Sequence, residues 1–182
     1  MKRKHLETHF TKLLNQRAVM LEVMIPYAGE EWTRPNEEKW SFGETYLHLY
    51  LLLKWFRRLN QVYLPIASKL AYPFRNKPSD WQSENVYELY QQKNQKTMKA
   101  PFFLMPPNTT KLQPQFHDIL TILDEETDKL AMLVCHLDED IAGHIRYPDP
   151  LAGNPNLLQA IDLLAIHEQH HFRLCKQYYK LE

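Results

Sequence analysis

His167 and His171 stand four residues apart in the segment Ile166-His167-Glu168-Gln169-His170-His171. On a helix that spacing puts both imidazoles on one face, one above the other, where both can reach one ion. Spacing alone does not make a ligand pair, because His5 and His9 share it. Context separates the two pairs. His5 and His9 lie among Lys and Glu near the start of the chain, where a solvated, frayed turn is expected. His167 and His171 continue an apolar seam that includes Leu164 and Leu174, where a buried ring needs a hydrogen-bonding partner or a metal. His48 makes the same demand on a second seam, otherwise apolar. Three neutral imidazoles plus an open water position form a catalytic-type site for zinc, which nickel, iron or manganese can also occupy. The expected ligands are His48, His167 and His171.

The same segment literally matches the HExxH motif of zinc peptidases. The long form of that motif needs a glycine where this chain has Leu174 and a histidine where it has Gln177. No strand pattern is present to hold a peptide, so a peptidase is set aside. Glu168 is a candidate base on bound water. It also lies about a hundred degrees around the helix from His167, which predicts a surface charge. Cys175, one turn beyond His171, is either a fourth ligand or a small buried hydrophobe, and the second is the ordinary role of an isolated cysteine. Glu44, one turn before His48, is explained by helix capping, with a hydrogen bond to the His48 ring as the alternative. Arg17 either faces the site or extends to solvent. His170 falls off the seam and is expected to be exposed. The stretch Pro101-Phe102-Phe103-Leu104-Met105-Pro106-Pro107 is expected to pack as an ordinary loop, with a lid or dimer contact as alternatives.

Four amphipathic segments must position these residues. The first runs from about His5 to Met24, with Leu6, Phe10, Leu13, Met20 and Met24 on one face. The second opens on Ser41-Phe42-Gly43-Glu44, a capping box. Its seam reads His48, Leu52, Trp55, Leu59, Val62 and Ile66. The third starts near Pro114 and carries Phe116, Leu120, Leu123, Leu130, Val134 and Leu137. The fourth follows Asn154-Pro155, read as a cap with proline at the first helical position. Its seam is Leu157, Ile161 or Ala160, Leu164, His167, His171, Leu174 and Tyr178. Four helices of near-heptad rhythm predict an all-α four-helix bundle. A long stretch, residues 68–113, separates helices two and three, and its Glu84 to Gln95 portion reads as a short helix after Ser83. So long a crossover lets helices two and three run parallel, which makes up-down-down-up as available as a simple meander.

Composition narrows the class of partner. The chain has 182 residues, enough for one domain over 1–182, and only four glycines, which favours helix. Lys plus Arg and Asp plus Glu are equal at 22 each, so no charge footprint points to nucleic acid or an anionic membrane. The longest apolar run, Leu49 to Leu53, is too short to span a bilayer. Two cysteines without paired spacing, and no signal-peptide pattern, make a cytoplasmic location the expectation.

Trp40-Ser41, with His48 eight residues after the tryptophan, resembles the start of helix two in the DinB/YfiT-like superfamily of metalloenzymes. Ile166 to His171 matches the later segment, preceded by Pro148, Leu151, Gly153 and Leu157-Leu158-Gln159-Ala160. The resemblance implies an up-down-down-up bundle with a three-histidine metal site, zinc or nickel, and frequently a homodimer. Carried over, the ligands are His48, His167 and His171. It also implies a small-molecule substrate and either hydrolase activity or S-transfer with a low-molecular-weight thiol such as bacillithiol or mycothiol. The alternative is a non-catalytic metal-binding bundle with a structural, sensing or interaction role.

Overall fold

The computed structural model describes residues 4–88, 105, 114–150 and 152–181, and the described chain is all-helical. Its helices are α1 (Lys4–Met24), α2 (Phe42–Ala71), α3 (Phe116–Val134), the short α4 (Glu139–Ala142) and α5 (Leu157–Tyr179). Single 3-10 turns, Ile25–Tyr27 and Tyr72–Phe74, follow α1 and α2. Among the described residues no strand occurs, only an isolated bridge pairing Arg146 with Asn156. No described helix is long and apolar enough to cross a membrane.

The predicted starts fall close to the observed ones for α1, α2 and α3. Ser41 caps α2 as expected, its side chain accepting from the Glu44 amide while the Glu44 carboxylate accepts from the Ser41 amide. For α5 the cap moves two residues on. Asn156, not Asn154, accepts from the Gln159 amide, and the Gln159 side chain returns the bond. Asn154 instead takes a left-handed turn at φ 55°, and Pro155 precedes the cap rather than opening the helix. Of the short helix expected over 84–95, residues 86–88 are helical and 89–95 lie outside the described residues. Only Met105 of the Pro101 to Pro107 stretch is described, so its role lies outside them as well.

Contacts fix how the helices pair. Along α1 and α5, Lys12 meets Asp162 and Gln16 meets Ala165 and Glu168, and Tyr27 in the turn after α1 meets Tyr179. Numbers rise together, so these two helices run parallel. So do α2 and α3, where Tyr46 packs on Phe116 and Arg57 pairs with Glu126. Between α2 and α5 the order reverses, from Thr45 with Cys175 through Tyr46 with Phe172 to His48 with His167.

The seam of α2 departs from the expected one. His48 is buried, but below it the core takes Leu49, Leu53, Asn60, Leu64, Ala67 and Ala71. Trp55, Leu59, Val62 and Ile66 are 52%, 52%, 73% and 62% exposed. The helix carries two apolar stripes about a residue apart, and periodicity alone does not say which one packs. The buried stripe contains a polar residue, Asn60. Its amide nitrogen donates to the Phe56 carbonyl, and its oxygen accepts from the Tyr147 hydroxyl, so nothing is left unpaired.

Candidate metal centre

His48 comes from the second turn of α2, and His167 and His171 come from successive turns of α5. The antiparallel packing of α2 against α5 brings all three rings together. One nitrogen of each lies within 4.8 Å of the others, a donor group able to hold a metal ion. Nε2 of His48 and Nε2 of His167 are 2.9 Å apart. The ring centroids of His48 and His167 lie 4.7 and 4.6 Å from that of His171. His48 is completely buried, while His167 and His171 keep partial access to solvent. Burial, and then the neighbouring histidines, push His167 and His171 well below the ordinary imidazole value. Both are therefore neutral at pH 7, the state a metal ligand requires.

Two aromatic side chains enclose the cluster. The Trp40 indole stacks on His171 at 5.8 Å and 11°, and lies 5.0 Å from His48. In sequence Trp40 was only a spacing marker; here it forms a wall of the site. The loop carrying it is pinned at Gly43, whose amide donates to the Glu31 carbonyl at 2.7 Å. A Cβ at Gly43 would stand 2.6 Å from the Trp32 ring, so only glycine admits that approach. The second aromatic is Tyr87, whose hydroxyl bonds Nδ1 of His167 and whose ring stacks on His170 at 4.1 Å and 8°. His170 is thus half-covered rather than exposed. Burial pushes the Tyr87 hydroxyl up, so it stays protonated. No spacing rule links Tyr87 to His167 across eighty residues of chain, and sequence reading missed it.

Glu168 is not the surface charge expected. It is buried against α1, with Oε2 accepting from Arg17 Nε at 2.9 Å, Oε1 bonded to Arg17 Nη2, and Gln16 Nε2 at 3.3 Å. Arg17 neither reaches the histidines nor extends to solvent. Its remaining nitrogen donates to Asp124 at 3.0 Å and Thr127 at 2.7 Å on α3. Burial works against the Arg17 charge, but Glu168 and Asp124 outweigh it and hold the guanidinium above its ordinary value. The hundred-degree offset from His167 was right. At that angle α5 meets α1, not solvent.

The other candidates also find defined places. Cys175 is buried, 3.5 Å from the Thr45 hydroxyl, with its thiol pushed up to about 11 by burial, and it is not in the donor group. Glu44 combines its capping role with an ion pair to Arg34. His9 corrects the expectation of a frayed turn. It is buried, its Nε2 is 2.9 Å from the Trp81 carbonyl, and its Nδ1 is 3.4 Å from Asp162. The His5 ring stacks on Trp81 at 4.2 Å, and Glu139 accepts from the His5 and Leu6 amides. Those contacts tie down the start of α1 away from the donor group.

The chain matches the family model of the DinB superfamily over residues 12–175 and belongs to that superfamily. No curated protein and no solved structure matches it.

Proposed function

We propose that this member of the DinB superfamily is a metal-dependent enzyme of hydrolase or thiol S-transferase type, with His48, His167 and His171 holding one divalent ion, zinc or nickel. The observation that carries the reading is the set of three imidazole nitrogens within 4.8 Å of one another, two of them on neutral rings. A bound ion would supply Lewis acidity, lowering the pKa of a water or thiol. The chain's own residues do the rest. Trp40 shields one side of the histidines, and the partial exposure of His167 and His171 leaves another side open to a small-molecule substrate. Glu168 we assign to structure rather than proton transfer, since Arg17 and Gln16 occupy both its oxygens.

The helix directions support a four-helix bundle of up-down-down-up order, and we propose that it forms one domain over 1–182 of a cytoplasmic protein. On the same reading the protein is a homodimer. Support comes from α2, where Leu59, Val62, Ile66 and Leu70 form an exposed apolar stripe of the kind that marks interaction sites. That stripe also favours the second reading, a non-catalytic metal-binding bundle acting through its surface.

Elemental analysis of protein purified without a His tag tests the site. Near-stoichiometric metal that persists in His5→Ala and is lost in His48→Ala is expected; metal retained in His48→Ala refutes the ligand set. A panel of low-molecular-weight thiols with electrophiles, and of hydrolase substrates, then compares wild type with His171→Ala. No turnover on either panel favours the non-catalytic reading.

A further inference from the structure

Residues 80–88 run beside α5 in the same direction, tied to it at each step. Asn156 donates to the Asp80 carbonyl at 2.7 Å, Gln159 to the Gln82 carbonyl at 3.1 Å, and the Ser83 amide to Asp162 at 3.0 Å. The Ser83 hydroxyl adds a bond to the Gln159 carbonyl, and His9 holds the Trp81 carbonyl from α1. At the far end Arg173 pairs with Glu88 at 3.1 Å. Between these ties sits Tyr87, its ring flat on His170 and its hydroxyl on Nδ1 of His167.

We infer that Tyr87 is a positioning residue that fixes the tautomer and orientation of His167 for metal binding through Nε2. The inference rests on the metal reading above. Nε2 is the atom His167 turns toward His48. With both Nε2 atoms facing, one of them carries the shared proton in the metal-free protein. An ion needs both lone pairs, so His167 must place its proton on Nδ1 and donate it to an acceptor. The Tyr87 oxygen is that acceptor. The laced segment and the His170 stack hold it in place, so orienting it costs little at the moment of binding.

Tyr87→Phe removes the oxygen and keeps the ring on His170. Metal-stripped wild type and variant are titrated with Co2+, read by its visible ligand-field absorption, and with Zn2+ against a competing chelator. Removing such a partner weakens metal affinity by roughly 10–100-fold. The metal-free variant should melt with the wild type. Equal affinities with unchanged Co2+ spectra overturn the assignment and leave the metal reading standing. A wild type that binds neither ion overturns both. A second measurement needs no variant: 15N-detected histidine NMR of the Zn2+-loaded wild type should show His167 protonated at Nδ1. Ligation through Nδ1 overturns the inference.

Discussion

Breaking the Arg17–Glu168 pair should be costly, and unequally so from its two sides. Arg17 is 4% exposed and Glu168 3%, so neither charge can be rehydrated without opening the helix contacts. Arg17→Met leaves Glu168 with Gln16 as its remaining partner. Removing one member of such a pair costs about 3–5 kcal/mol, which for a chain of this size lowers Tm by roughly 6–20 °C. Glu168→Gln should cost less, because Arg17 keeps Asp124 and Thr127. The double variant Arg17→Met/Glu168→Leu replaces the pair with apolar groups and should recover most of the loss. The assay is urea unfolding of the metal-free proteins, followed by metal stoichiometry of the double variant, expected to match wild type. Arg17→Met within about 1 kcal/mol of wild type, or a double variant no more stable than Arg17→Met, would refute the reasoning.

Acid should destabilise the metal-free protein in two stages. His167 and His171 are held below their ordinary value, so below about pH 6.5 the unfolded chain takes up protons that the fold refuses. Stability should therefore fall with pH by up to about 1.4 kcal/mol per unit for each ring, and His171→Gln should flatten that slope in a pH series of denaturant midpoints. Burial raises Asp162, but bonds from His9, Ser83 and Lys12 outweigh it and leave it well below the carboxylate range. Its contribution is present above about pH 4 and lost as pH falls further, so Asp162→Asn should blunt the acid limb there. Dimerisation through α2 predicts that Val62→Asp or Ile66→Asp yields a folded monomer in analytical ultracentrifugation, with a Tm that no longer depends on protein concentration. A monomeric wild type at high concentration sinks that interface.

The donor group was legible because each histidine interrupts an apolar seam, and a buried ring without a partner is unfavourable enough to show as a pattern. Helix starts were legible where capping chemistry is local, as at Ser41 and Glu44. What sequence withheld depends on partners far along the chain. His9 resembled a solvated residue until Trp81 and Asp162 covered it. Glu168 looked like a surface charge because its neutralising Arg17 lies 151 residues away. Tyr87 carries no signal at all outside the fold. The seam of α2 is misplaced because periodicity does not tell which of two apolar stripes packs; the one that does carries Asn60, whose oxygen Tyr147 satisfies.

That hydrogen bond bears on a site it never touches. A helix greasy on two sides can settle at two azimuths about its own axis with little difference in apolar burial. In the observed one Asn60 is buried and His48 faces His167 of α5. Asn60 lies twelve residues further on, about 18 Å along the axis, and in its buried position its oxygen is satisfied by the Tyr147 hydroxyl. Its bond to Tyr147 therefore favours the rotation of α2 that is seen, the one in which His48 meets His167.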